Sequence, residues 1–191
     1  PSAPVMGLVD DNESLHGSIV SGYPVCGDLQ WLVEYGVSRV LCVVAIANPR
    51  VRARIVGALD AAGAAYANLV HPSATVWSLL PSYAGIIVQP HAFVSVDVQV
   101  GRHVHVDHCA TLSHDAQVDD FATIAPRSDV NGNCRVGKGA YVGCQSALRQ
   151  GVSVGAWATV GMCACVLEDV PAGVTVAGVP ARPVRQPTTS P

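Results

Sequence analysis

From Val94 onward an aliphatic residue returns at every sixth position: Val94, Val100, Val106, Leu112, Val118, Ile124, Val130, Val136, Val142, Leu148, Val154, Val160 and Val166. Two residues before each lies a second column, small or at most the size of valine: Ala92, Val98, Val104, Ala110, Ala116, Ala122, Ser128, Cys134, Ala140, Ser146, Val152, Ala158 and Ala164. An amphipathic helix repeats its apolar positions near every 3.6 residues, and a half-buried strand every second residue. A period of six fits neither, but it fits short strands separated by tight turns. Gly101, Gly137, Gly143, Gly155 and Gly161 directly follow the aliphatic position, where the turn is expected to need a permissive backbone. Three such strands close a triangular coil of about 18 residues, and coils stack at the inter-strand spacing of about 4.8 Å. The pattern therefore predicts a parallel β-helix, its interior filled by the aliphatic column and its corners closed by the small one. A β-sandwich would not hold one period over so long a stretch.

The chain before the ladder reads differently. Residues 5–9 form an apolar strand ending in Asp10-Asp11-Asn12, and residues 39–46 a continuous apolar strand of the buried parallel type. Asn48-Pro49 reads as a helix cap and first turn, followed by a helix over 51–62 that ends at Gly63. Residues 66–70 read as a third strand. This alternation predicts a small α/β domain over 1–72, Rossmann-like but without a first strand and Gly-rich loop. His71-Pro72 marks the junction to a β-helix domain over 73–185. Coils are expected from Ala74, the first irregular because Ser82 interrupts the aliphatic column. Residues 174–183 leave the period, and 186–191 read as a tail.

Composition narrows the function. Half of the 191 residues are hydrophobic, 13% are charged and the net charge is −3. Nothing in this balance favours nucleic acid or an anionic membrane. The longest apolar run, 40–47, is too short to span a bilayer, and the start carries no signal-peptide pattern. A cytoplasmic location is expected. The first residue is Pro1 rather than Met, which reads as a missing portion of the native N-terminus. Seven cysteines, an odd number without a C-x-x-C pair, argue against a disulfide framework or zinc knuckle and for reduced thiols used as small apolar groups.

Several stretches carry a resemblance: GLVDDN (7–12), PVCGDLQWL (24–32), VVAIANPRVRARIVGAL (43–59), NLVHPSATV (68–76), LSHDAQVDDFATIAP (112–126), VGKGAYVGCQS (136–146) and VTVAGVPARPV (174–184). The His-Asp step followed by DDFATIAP is the most specific. Together they resemble the hexapeptide-repeat sugar O- and N-acyltransferases, in the branch of sialic acid O-acetyltransferase-like proteins and UDP-4-amino-sugar N-acetyltransferases. The resemblance implies a left-handed β-helix, a homotrimer with active sites between subunits, acetyl-CoA as acyl donor without a metal, and a UDP-sugar as acceptor.

It also implies roles. His114 corresponds to the general base and Asp115 to its supporting acid: a neutral imidazole suits proton abstraction near pH 7, and a carboxylate beside it orients the ring. Gly132, 18 residues on, falls one coil above His114 and matches the glycine whose N–H meets the acetyl oxygen. Thr123 matches a position at the acetyl group, where the family often has a second histidine, and Asp107 a substrate-binding position, where it often has asparagine. Asp10 and Asp11 match a position near the nucleotide base. Gly143, Cys144, Gly161, Met162 and Pro180 match positions along the CoA groove. The Gly-x-Gly-Gly-His-type loop that precedes Asp10 in the family is not found here, which leaves recognition of the nucleotide open.

Two other functions compete. A metal-dependent hydratase of the γ-carbonic-anhydrase type would place ligand histidines five residues apart, as His103 and His108 are. Its ligands, however, fall two and seven residues after an aliphatic position, slots held from Val100 by Arg102 and Asp107. A one-residue shift redirects side chains, and metal–nitrogen bonds of about 2.0–2.1 Å do not tolerate it. The other competitor is a non-catalytic β-helix scaffold.

Overall fold

The computed structural model describes residues 4–184, so the expected tail at 186–191 lies outside the described residues. The chain divides into two compact units. One holds the described residues up to Cys42 together with Gly57–Ala65, and the other holds Val43–Val56 together with the described residues from Tyr66.

The first unit is built around the strand Tyr23–Gly27. Leu8–Val9 pairs with it in parallel and Ile19–Val20 antiparallel, giving a small mixed sheet. The strand expected over 5–9 is thus confined to its last two residues. Helix α1, Leu29–Gly36, follows directly, started by Asp28, whose carboxylate accepts from the Trp31 N–H at 2.8 Å. Of the strand expected over 39–46, only Leu41–Cys42 is a ladder strand.

The second unit is a parallel β-helix. Its strands fall on three faces. The first face carries Gln99–Val100, Gln117–Val118, Arg135–Val136 and Ser153–Val154. The second runs from Leu69–Val70 through Ile87–Val88, His105–Val106, Thr123–Ile124 and Tyr141–Val142 to Thr159–Val160 and Thr175–Ala177. The third runs from Thr75–Val76 to Cys165–Val166. From Thr75 to Val166 every strand pairs in parallel with the one 18 residues away, as in Gln99↔Gln117 and Thr111↔Asp129. The strand expected over 66–70 is split: Ala65–Tyr66 is one short strand, and Leu69–Val70 pairs with Ile87–Val88 and opens the second face, ahead of the start expected at Ala74. Arg182–Pro183 folds back antiparallel on Thr175–Ala177 and covers that end of the second face.

Both predicted columns are interior. All the aliphatic residues from Val94 to Val166, and all the small ones from Ala92 to Ala164, are buried. The two serines in the small column satisfy their hydroxyls locally; Ser146, for example, donates to the Gly143 carbonyl at 2.6 Å.

The turns work otherwise than expected. The left-handed backbone lies three residues after the aliphatic position, and it recurs at every sixth residue from Gly85 to Cys163, mostly at non-glycine residues such as Asp97, Asp115, Phe121 and Trp157. From residue 103 on, each such N–H donates to the carbonyl 19 residues earlier, as Phe121 does to Arg102 at 2.9 Å and Trp157 to Lys138 at 2.8 Å. This inter-coil bond offsets the strain of roughly 1–2 kcal/mol that an L-residue meets there. The glycines after the aliphatic position serve a different need. A β-carbon on Gly143 would stand 2.6 Å from the Val160 carbonyl oxygen and 2.8 Å from the Met162 nitrogen. They are glycines because the next coil passes too close for a side chain.

Candidate active site

The strand Thr111–Leu112 on the third face leads into a turn toward Gln117–Val118 on the first face, and His114 and Asp115 occupy that turn. Asp115 has φ 60°, a conformation aspartate tolerates better than most residues. Its N–H donates to the Val96 carbonyl on the coil before, while the His114 carbonyl accepts from the Asn133 N–H on the coil after. The step is thereby pinned from both sides. The left-handed turn brings the Asp115 carboxylate back onto its neighbour: Oδ2 lies 2.7 Å from His114 Nδ1. A carboxylate only accepts, so the ring proton sits on Nδ1 and the Nε2 lone pair is open. Both side chains are about half exposed, at 51% and 52%, so the pair orients the ring more than it stabilises the fold.

Gly132 is buried against that ring, one coil on. A β-carbon on it would come within 2.5 Å of both Cε1 and Nε2 of His114. The 18-residue stack therefore brings together the three residues the sequence grouped. The Gly132 N–H meets no acceptor among the described residues, while its carbonyl accepts from Gly151 at 3.0 Å.

The remaining expected residues lie elsewhere. Gly143 and Cys144 follow the second-face strand Tyr141–Val142, and Gly161 and Met162 follow Thr159–Val160 directly above it. They stack along the edge between the second and third faces. His114 and Gly132 lie on the edge between the third and first. Met162 is 70% exposed and Cys144 half-buried. Pro180 is exposed in the turn before Arg182–Pro183. Asp107 is on the same edge as Gly143. It is half-buried and accepts from Gln89 Nε2 at 2.9 Å. Burial pushes its carboxyl pKa up, against the pull of His108 and Arg52. In the first unit Asp10 and Asp11 are exposed, Asp10 Oδ1 accepting from the Asn12 N–H at 2.8 Å. Asp11 borders a hollow of about 440 Å³ with Asp28, Leu29, Gln30 and Val33.

Thr123 departs from expectation. Its side chain is buried; the hydroxyl donates to the Ala47 carbonyl at 3.1 Å and accepts from Arg52 at 2.9 Å. The hydroxyl proton is thus engaged within the fold rather than free to meet an acetyl group.

Arg52 escaped the sequence reading. Nothing distinguishes it from Arg50 and Arg54 on the same helix, α2 (Pro49–Ala61), yet it is wholly buried. Its guanidinium donates to the carbonyls of His103 (2.9 Å), Ile46 (2.6 Å), Ala47 (3.1 Å), Phe121 (2.6 Å) and Ala122 (3.1 Å). Burial lowers its pKa to about 10. His105 lies against it. A carbonyl only accepts, so His105 Nε2–H donates to Val44 at 3.1 Å and Nδ1 faces Arg52 at 3.4 Å. Burial first, then the arginine charge, push the His105 pKa down to about 3, so the ring is neutral. The cluster ties the segment before α2 onto the second face.

The histidines considered for a metal are dispersed. His103 is buried in an aromatic stack, 5.4 Å from Phe121 and edge-on to Tyr66 at 4.4 Å. His108 is exposed. Among the described residues no group of three or more His, Cys, Asp or Glu could hold a metal ion. No helix among them is long and apolar enough to cross a membrane.

Comparison with known proteins follows the same lines. No family model matches the sequence. A GDP-perosamine N-acetyltransferase from Escherichia coli is 32% identical over 188 residues, covering 96% of this chain and 85% of the relative. The acetyltransferase domain of PglB from Neisseria gonorrhoeae, solved in complex with acetyl coenzyme A, superposes with a TM-score of 0.85 at 33% identity, over 93% of this chain and 86% of that one. A mutant perosamine N-acetyltransferase from Caulobacter crescentus, in complex with CoA and GDP-perosamine, gives 0.84 at 29% identity, over 94% and 85%. The likeness runs along nearly the whole chain, and the chain belongs to the hexapeptide-repeat sugar acyltransferases.

Proposed function

We propose that the protein transfers the acetyl group of acetyl-CoA to the amino group of a nucleotide-linked sugar, with His114 as general base. The relatives named above supply the reaction class. The observation that carries the assignment of the base is the 2.7 Å His114–Asp115 pair, with the open Nε2 against Gly132.

In this reading the sugar amine attacks the thioester carbonyl as Nε2 takes its proton. The imidazolium that forms is held by Asp115. Negative charge gathers on the carbonyl oxygen, and the Gly132 N–H, which has no acceptor among the described residues, donates to it. Collapse of the tetrahedral intermediate breaks the C–S bond. His114 returns its proton to the departing CoA sulfur, leaving the ring neutral for the next cycle.

The chain's own edges argue for an assembly. His114 and Gly132 are on one edge of the β-helix, and Gly143, Cys144, Gly161 and Met162 are on another. A homotrimer in which these two edges of neighbouring copies face each other would complete the site, with the CoA arm running past the glycine column. Asp107, on that second edge, would then approach the acceptor, and Pro180 would border the arm. Asp10 and Asp11 remain candidates for the nucleotide base. The E. coli and Caulobacter relatives make GDP-sugars the first acceptors to try, beside the UDP-sugars implied by the family resemblance.

The test is His114→Ala, assayed by thiol release with acetyl-CoA and a panel of GDP- and UDP-linked amino sugars. Turnover should fall by about 10²–10⁴-fold while acetyl-CoA binding is retained. Unchanged turnover would remove His114 from the role of base.

A further inference from the structure

We propose that Cys144 and Cys163 are a redox-modification site, a dithiol that closes to an intramolecular disulfide on meeting an oxidised low-molecular-weight thiol. The two cysteines lie on successive coils of the edge between the second and third faces. The Cys163 N–H donates to the Cys144 carbonyl at 2.8 Å. Adding the standard Cα–O and N–Cα spans limits the Cα–Cα separation to at most about 6.7 Å. Disulfides bridge Cα atoms about 4.4–6.8 Å apart, so the backbone is already within reach.

The surroundings favour this pair over others. Cys163 is exposed and Cys144 half-buried. The Cys163 Sγ lies 3.9 Å from Oε1 of Gln145, the residue that follows Cys144 in the chain. Its left-handed backbone, φ 56°, is held by the hydrogen bond to Cys144, so the approach is built into the coil. Cys42 and Cys134 are buried, and burial pushes both thiols up, away from the reactive thiolate. Cys109 is exposed but sits two coils below Gln145.

The chemistry balances with a disulfide such as oxidised glutathione as the oxidant. The Cys163 thiolate attacks one sulfur of the reagent. The reagent S–S bond breaks, one glutathione leaves as thiol, and a mixed disulfide remains on Cys163. Cys144 gives its proton to solvent and attacks the Cys163 sulfur, releasing the second glutathione. Two protein thiols are oxidised by two electrons and one glutathione disulfide is reduced to two thiols.

The consequence rests on the reading that this edge carries the CoA arm. A bridge beside Gly143, Gly161 and Met162 would stand where the arm must lie. Oxidised protein should then lose acetyl-CoA, and bound acetyl-CoA should shield the thiols.

The experiment treats the whole chain with glutathione disulfide, with and without acetyl-CoA, followed by peptide mapping and acetyl-CoA titration. The expected result is a 144–163 cross-link, slowed by acetyl-CoA, an acetyl-CoA affinity lowered about tenfold or more, and full recovery on reduction. Cys163→Ser should keep its turnover and lose the sensitivity. Stable glutathione adducts without a bridge, or a bridge between other cysteines, would overturn the pairing. A 144–163 bridge that leaves acetyl-CoA affinity unchanged would support the pairing and overturn the placement of the CoA arm on this edge.

Discussion

The imidazole of His114 occupies the space that a side chain on Gly132 would need: a β-carbon there would lie 2.5 Å from Nε2 and Cε1. The general base proposed for the chemistry thus depends on a residue one coil away having no side chain. Gly132 does not have a left-handed backbone, so alanine can adopt its conformation. Gly132→Ala should leave the melting temperature nearly unchanged, because only the tip of a half-exposed side chain must move. Displacing the ring and crowding the amide should lower turnover by about 10²–10³-fold. A variant with full activity would separate Gly132 from the reaction.

Gly143→Ala should behave in the opposite way where the fold is concerned. Its β-carbon would meet backbone of the next coil, the Val160 oxygen at 2.6 Å, and backbone cannot swing aside. The coil spacing must open, at a cost of about 1–3 kcal/mol, read as a shifted urea midpoint. A midpoint equal to that of Gly132→Ala would contradict the close approach.

Arg52→Met should be among the most destabilising single changes. It leaves the buried carbonyl of His103 and the part-buried carbonyls of Ile46 and Phe121 without their guanidinium donor, while Ala47 keeps the Thr123 hydroxyl. Each deserted buried acceptor costs about 1–3 kcal/mol, so a loss of about 3 kcal/mol or more is expected in chemical denaturation. Arg52→Lys should recover part of this only, because an ammonium lacks the planar fork that reaches both the 46–47 and the 121–122 carbonyls.

His105 makes a pH prediction with a definite sign. Its pKa is about 3 in the folded protein against an ordinary 6.5. Between these values the unfolded chain binds the proton and the native one does not, so the group's contribution is fully present above pH 6.5 and is lost as pH falls toward 3. Wild type should lose up to about 1.4 kcal/mol more per pH unit in that window than His105→Asn. Parallel stability curves for the two proteins would show that His105 is not held neutral.

Much of this was legible in the chain because a β-helix is nearly one-dimensional. The six-residue period of the Val94–Val166 column predicted which residues are interior, and its 18-residue multiple placed Gly132 over His114. Turn chemistry was misplaced by two residues, because glycine marks both left-handed backbone and close approach, and sequence alone does not separate them. The single strand expected over 66–70 is two, Ala65–Tyr66 and Leu69–Val70, because a two-residue strand has no period of its own.

What sequence determined, then, is everything that repeats: the columns, the coil length, and the stacking of the His114 turn. Tertiary structure alone decided what does not repeat. It showed that Thr123 is spent on Ala47 and Arg52, and that Arg52, one of three arginines on α2, is the buried one. A buried cation held by carbonyls leaves no trace in sequence, because every residue offers the same carbonyl and only the fold brings five of them to one point.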